Sequence, residues 1–469
     1  MRGYEMTIGL EVHCELATRT KIFCGCRNEF GSEPNTNICP VCLGLPGSLP
    51  VLNEDVVELA MRLGMALGCR VEPSIFHRKN YFYPDMPKDY QVSQYDRPIN
   101  VDGRIDLADG TSVGIERAHL EEDTGKSTHV GGGNDMRSRR INEAERSLID
   151  YNRAGVPLVE VVSRPDIVDA DQAKAYVNEL RAILLATGAS DAKMEEGSMR
   201  VDANVSVRHP GDPLGTRCEI KNLNSIRSLG RAIEYEADRQ IELLERGERI
   251  RQETRHWDEA EGRTRAGRSK EEAEDYRYFP EPDLVPLEPD DAWRTRVRDS
   301  LPVLPAARRA RLASLAPGPG VALVVERGLD ELVLAAVDAG GDPGRLLTHA
   351  EHNVIDAGAL TATSFAALTR LEVDGKLTAT QAKAVLADLV AAGGDPAEIA
   401  AARGFEALAD GDLAAVVDRL IAENADAFEK YKAGDQKIAG FFTGQVMKAT
   451  QGKADGKRVA ALLAERATT

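Results

Sequence analysis

Strict alternation of apolar and polar residues recurs through the first half of the chain and predicts strands with one buried and one polar face. In TIGLEVHCEL, Ile8, Leu10, Val12 and Cys14 fall on one side and Glu11, His13 and Glu15 on the other. MRVDANVSVR repeats the pattern, with Val201, Ala203 and Val205 inward and Asp202, Asn204 and Ser206 outward. The turn HPGDPLG leads into TRCEIKNL, where Arg217, Glu219 and Lys221 oppose Cys218 and Ile220. Two such runs joined by a Gly/Pro-rich turn predict an antiparallel hairpin carrying Asp202, Asn204, Glu219 and Lys221 on one polar face. The period changes in DQAKAYVNELRAILLATG: Val177, Leu180, Ile183 and Leu184 recur at helical spacing, and Gly188 supplies the stop. Past about residue 290, short Ala/Leu/Val runs are broken by SLAPGPG, AGGDPGR, AAGGDP and ALADGDL, which reads as a series of short helices.

A length of 469 residues exceeds one core and calls for two to four domains at roughly 150 residues each. The pattern predicts a large mixed α/β domain, a helical domain and a small helical C-terminal module. Hydrophobic residues at 42% and charged residues at 29% exclude global disorder. No apolar run of about 20 residues occurs, so no membrane span is expected. No apolar stretch precedes a small-residue cleavage site near the start, so the expected location is the cytoplasm. The charge balance, 59 − 76 = −17, argues against DNA as a partner, although local basic patches can still bind RNA. One such patch is the tail from Asp426 to Thr469, with eight Lys/Arg against five Asp/Glu. It reads either as an RNA contact or as a small helical bundle with solvated lysines.

Four of the seven cysteines sit in the pattern Cys24-x-Cys26-x12-Cys39-x2-Cys42. The second pair has the spacing of a zinc knuckle, and four thiolates close a tetrahedron without an open position. That favours a structural zinc site over four free thiols. TGKS in HLEEDTGKS imitates the end of a phosphate-binding loop, but Leu120 stands where its first glycine belongs, and three carboxylates would repel phosphate. Carboxylates instead suit Mg²⁺, which prefers hard oxygen ligands and bridges to phosphates. Glu11, Glu122, Asp202 and Glu219 lie on or beside polar strand faces, so a twisted sheet can gather them around Mg-ATP with Arg200 and Lys221 near the phosphates. A solvated charged sheet face accounts for the same alternation, and periodicity does not separate the two. His13, between acids on one face, reads either as a ligand or as a structural hydrogen-bonder. The block RKNYFYPDMPKDYQVSQYD holds four of the eleven tyrosines with Lys79 and Lys88, as a packed loop or as a cationic, tyrosine-lined passage.

These segments, together with NICPVCLGLPGSLPVLN, DYNRAGVPLVEVVSRPD, DYRYFPEPDL and GQVMKAT, resemble the B-subunit family of the glutamyl/aspartyl-tRNA amidotransferases, GatB. The resemblance runs along nearly the whole chain and is weakest between about 295 and 400, where RLLTHAEHNVIDAG lacks an Asn-Trp pair often seen in the family. It implies an α+β fold: a cradle of antiparallel sheet and helices over residues 1–293, like the catalytic domain of glutamine synthetase, with the cysteine insert at 24–42. An all-α domain over 294–405 and a YqeY-like, tRNA-binding tail over 406–469 follow. It implies a ligase that uses ATP to activate the side-chain carboxylate of misacylated Glu-tRNA(Gln) or Asp-tRNA(Asn), after which ammonia displaces phosphate. The implied partners in a heterotrimer are an amidase, which frees ammonia from glutamine, and a small third protein, the A and C subunits of such enzymes. By motif, Glu11, His13, Glu122, Asp202 and Glu219 match the metal and phosphate-transfer site, with Glu11, His13 and Glu122 as the Mg²⁺ ligands. Lys79 and Lys88 match positions near the exit of an ammonia channel, and Lys448, Lys453 and Lys457 fall in the tRNA-binding tail. The alternatives from other classes are a non-catalytic tRNA scaffold, against which the acidic strand faces argue, and a stand-alone metal hydrolase, for which no HExxH-type motif appears.

Overall fold

The segment Glu5–Glu15 pairs with an antiparallel strand on each edge and so lies near the middle of the sheet; its apolar residues enter the core and its polar residues line a cleft. In the computed structural model, residues 3–130, 146–267, 276–405, 410–432, 437–450, 454 and 456–468 are described. They form two units, Met1–Pro305 and Ala306–Thr469. The strands of the first unit are β1 (Glu5–Glu15), β2 (Arg70–Val71), β3 (Ile75–Asn80), β4 (Tyr90–Arg97), β5 (Asn100–Asp106), β6 (Ser112–Glu122), β7 (Lys126–Val130), β8 (Arg146–Asp150), β9 (Pro157–Ser163), β10 (Met199–Arg208), β11 (Cys218–Leu223), β12 (Thr254–Asp258), β13 (Arg263–Ala266) and β14 (Phe279–Pro280). Twelve of them make one sheet in the order β13-β12-β11-β10-β1-β9-β6-β4-β3-β14, with β2 and β5 attached beside β6; β7 and β8 pair separately. All pairings in the large sheet are antiparallel except β11 with β12.

The expected hairpin forms from β10 and β11, with Asn204 opposite Glu219 and Ala203 opposite Ile220. Its register slips between Val201 and Ala203, and Asn222 absorbs the extra residue at a left-handed φ of 70°. Such a bulge bends the strand and re-aims its side chains. Helices α1 (Glu54–Ala66), α2 (Ala170–Thr187) and α3 (Ile226–Glu245) carry apolar stripes into the same core as Ile8, Leu10, Val12, Val201, Ala203 and Val205. Asn53, Asp169 and Ser225 cap them by accepting backbone N–H bonds, and Gly188 at φ 67° ends α2 where the sequence predicts.

Helix α4 (Asp291–Asp299) belongs to this unit: Trp293 Nε1 donates to Glu58 on α1 at 2.8 Å. The unit extends to Pro305. The second unit holds eleven α-helices among the described residues, from Pro305–Leu315 to Gly456–Thr468. Its apolar residues fall into two clusters, one from Leu312 to Ala400 and one from Leu413 to Leu463. No helix among the described residues is long and apolar enough to cross a membrane.

Candidate active site and cysteine knuckle

Antiparallel register assembles the site from residues far apart in sequence. Across the open face of the sheet Glu11 is opposite Asp202, His13 is opposite Arg200 on one side and Glu160 on the other, and His119 is opposite Glu160. Glu11, His13, Glu160, Arg200 and Asp202 line a cleft of about 1370 Å³, together with Lys79, Arg117, Glu121, Glu219, Lys221 and several tyrosines.

At the middle of this cleft the ligand atoms of His13, Glu121 and Glu160 lie within 4.8 Å of one another. His13 Nε2 is 3.6 Å from Glu121 and 3.7 Å from Glu160, too far for direct hydrogen bonds and suited to a shared cation. Burial lowers the pKa of His13, which keeps the imidazole neutral and its lone pair free to ligate. Burial, reinforced by Glu160, pushes the Glu121 carboxyl up to about 8. Burial acts on Glu160 in the same sense, but His119, 3.2 Å away, and the Arg117 guanidinium outweigh it and hold that carboxyl below the usual range. A cation held between the two carboxylates favours the ionised form of both. Two hard carboxylates and one imidazole fit Mg²⁺ or Mn²⁺.

Towards β10 and β11 lies a second group. Lys221 Nζ sits between Asp202 at 3.1 Å and Glu219 at 2.9 Å, and Asn204 donates to Glu11 at 3.0 Å. Burial, then Glu160, Glu219 and Asp202, raises the pKa of Glu11. Arg200 pairs with the buried Asp123 at 3.1 Å. Both cations expected near phosphates therefore face the cleft while tied to carboxylates.

The four expected cysteines also converge, with sulfurs of Cys24, Cys26, Cys39 and Cys42 within 4.8 Å. The Cys39 N–H donates to Cys42 Sγ at 3.1 Å, and the hydrogen bond from Cys24 holds the Cys42 thiol down to about 5. Lys21, fully buried, donates to the Asn37 carbonyl at 3.0 Å and adds a positive charge beside the sulfurs. Four sulfurs at this spacing fit a closed, structural zinc site.

Residues 6–295 match the GatB/GatE catalytic domain, and residues 344–466 match a second GatB domain. Over 99% of its length the chain is 48% identical to the B subunit of the aspartyl/glutamyl-tRNA(Asn/Gln) amidotransferase of Frankia casuarinae, covering 95% of that protein. The chain belongs to the GatB family. Two further GatB relatives with the same description are those of Salinispora arenicola (48% identical; 99% of this chain, 96% of that one) and Thermobifida fusca (47%; 99% and 94%).

Within this GatB fold, the structure brings Glu11, His13, Lys79, Arg200, Asp202, Glu219 and Lys221 to one cleft, and leaves Glu122 and Lys88 out of it. Glu122, expected among the Mg²⁺ ligands, turns to the core side of β6, where its carboxylate accepts from Lys88 Nζ and from the Val92 N–H at 2.9 Å. The cause is a register slip against β9 between Ile115 and Arg117. Before it Val113 and Ile115 face the core; after it Ala118 and Leu120 do. The slip reverses the phase of the strand, so His119 and Glu121 reach the cleft side and Glu122 does not. Glu160 has a different signal: it is the single charge in PLVEVVS, a strand buried at every position. In the tail Lys448 is exposed on the helix Lys437–Ala449, whereas Lys453 and the side chain of Lys457 lie outside the described residues.

Proposed function

We propose that this GatB-family chain is the activating subunit of a tRNA-dependent amidotransferase, a ligase that converts Glu-tRNA(Gln), Asp-tRNA(Asn) or both into the amidated forms. The observation that carries the reading is the convergence of His13, Glu121 and Glu160 in a cleft rich in further carboxylates and cations. His13, Glu121 and Glu160 are the proposed holders of Mg²⁺, and Glu11, Asp202 and Glu219 the acids that orient the nucleotide and acceptor. Mg²⁺ bound there supplies charge neutralisation for the transferring phosphoryl group of ATP. Arg200 and Lys221 each exchange a carboxylate partner for phosphate oxygens when nucleotide enters. The acceptor carboxylate attacks the γ-phosphorus, ADP leaves, and an acyl phosphate forms. Ammonia then adds to the acyl carbon and phosphate departs, a route that avoids expelling oxide or hydroxide from a carboxylate.

Ammonia arrives from a partner amidase, and a small third protein braces the pair. In this reading Lys79, on the cleft wall, and Lys88, behind it, mark its way in. Zinc in the Cys24/Cys26/Cys39/Cys42 site braces the loop in front of α1. Lys448, with Lys453 and Lys457, contributes to phosphate contacts on tRNA. A purely RNA-binding scaffold is disfavoured because the cleft is lined by carboxylates that repel phosphate unless a cation is present.

Hydroxylamine trapping tests the reading. With misacylated tRNA, ATP and Mg²⁺ but no glutamine, the assembled enzyme should yield hydroxamate, and Glu121→Gln should abolish it while leaving tRNA binding intact. Undiminished hydroxamate from Glu121→Gln would remove this carboxylate from the site.

A further inference from the structure

One buried cation of the first unit has no carboxylate to meet. Lys21 is 0% exposed, and among the described residues its ammonium is paired with no Asp or Glu. Its hydrogen bond there is to a neutral group, the Asn37 carbonyl at 3.0 Å. An ammonium carries three N–H donors, and a desolvated charge is costly unless an opposite charge stands beside it.

What surrounds Lys21 is the cysteine knuckle. Its backbone N–H donates to the Cys26 carbonyl at 3.0 Å, closing the turn that carries Cys24 and Cys26. A Cβ added to Gly155 would come within 3.6 Å of Cys42 Cβ and 3.7 Å of Lys21 Cδ, so the lysine stem runs beside Cys42. Asn37, which holds Nζ, lies just ahead of Cys39 and is itself fastened. Its N–H donates to Asn152 Oδ1 at 2.9 Å and its side-chain amide to the Arg27 carbonyl at 2.7 Å. Both ends of Lys21 are thus tied to the segments that bear the sulfurs. As four neutral thiols the cluster would leave the ammonium uncompensated. As four thiolates on a divalent ion it carries a net double negative charge, which one lysine halves.

We propose that Lys21 is the built-in counter-ion of a tetrathiolate metal centre in the Cys24/Cys26/Cys39/Cys42 knuckle, a positioning residue that favours the metal-loaded form over the metal-free one. This rests on the zinc reading of the knuckle and not on the chemistry of the cleft. Held by Asn37 and shielded from water, the ammonium attracts the ionised sulfurs without solvent screening. In the metal-free chain the same charge has nothing to face and works against the fold. The lysine therefore couples folding of the loop to metal uptake.

The test combines the zinc affinity of the full chain, by chelator competition, with urea unfolding of the zinc-loaded and zinc-stripped protein, followed by tryptophan emission. Lys21→Met keeps the stem and removes the charge; Lys21→Gln removes the charge and keeps a donor for the Asn37 carbonyl. Each should bind zinc about 10- to 100-fold more weakly than wild type, the usual effect of losing an outer partner of a metal site. Each should unfold at lower urea than wild type when zinc-loaded, and at the same or higher urea when zinc is stripped. Equal zinc affinity in wild type and both variants overturns the counter-ion role. So does an equal loss of stability with and without zinc, the mark of a lysine that only packs. A wild type that takes up no zinc would instead sink the zinc reading of the knuckle itself, and the counter-ion with it.

Discussion

Replacing Lys88 by methionine strands the Glu122 carboxylate in the wall behind the cleft. Both side chains are nearly excluded from solvent, Lys88 at 9% and Glu122 at 2% exposure. With the ammonium gone, Glu122 keeps the Val92 N–H at 2.9 Å as its bond to Oε1. The lysine stem is wedged against Gly44 of the knuckle, where an added Cβ would come within 2.4 Å of Lys88 Cγ. Methionine preserves most of that stem, so packing changes little and the electrostatic term dominates. Breaking a buried pair by removing one partner costs about 3–5 kcal/mol; an exposed bridge would cost at most about 1 kcal/mol. The chain has two tryptophans, Trp257 and Trp293, both in the first unit, so their fluorescence in urea follows that unit alone. Lys88→Met should lose about 3–5 kcal/mol, and the double change Lys88→Met/Glu122→Gln should be closer to wild type than Lys88→Met. Neither Lys88→Met nor Glu122→Gln should reduce the hydroxamate trapped per folded molecule, because neither residue faces the cleft. A loss below about 1 kcal/mol in Lys88→Met, together with hydroxamate abolished by Glu122→Gln, would refute the reasoning and return Glu122 to the chemistry.

Two further outcomes follow from other parts of the first unit. Elemental analysis should find one zinc per chain, lost in Cys39→Ser, with limited proteolysis then cutting faster between the first cysteine and α1; equal zinc in the variant would mean that the four sulfurs do not act together. Glu236 is fully buried; burial pushes its carboxyl up, but Arg239, Gln240 and Arg255 more than reverse this and hold it below the ordinary carboxylate range. A folded-state pKa below the unfolded one stabilises the fold above the unfolded value, and that stability is lost as pH falls through the folded pKa. Thermal unfolding from pH 7 to pH 3 should therefore show an acid limb in wild type that is flatter in Glu236→Gln, which is also less stable at pH 7 by about 3–5 kcal/mol; parallel curves would contradict this assignment.

Local pattern determined much of this protein. Alternation placed Glu11, His13, Asp202, Asn204, Glu219 and Lys221 on polar faces, because side chains in a strand alternate and the apolar partners Ile8, Val12, Val201 and Ile220 must be buried. Helical spacing and Gly188 set α2, and cysteine spacing alone marked the knuckle. Tertiary structure decided which acids meet. The register slip in β6 exchanges Glu121 for Glu122, and a period-2 reading of HLEED has no means to detect a phase change imposed by a neighbouring strand. Glu160 becomes a site residue because β9 lies between β1 and β6, bringing it beside His13 from far along the chain. The same holds for the stacked rings in the cleft wall, where Tyr95 meets Tyr278 across a long stretch of chain. Burial preferences are written residue by residue, whereas convergence depends on strand order and register, which only the closed sheet fixes.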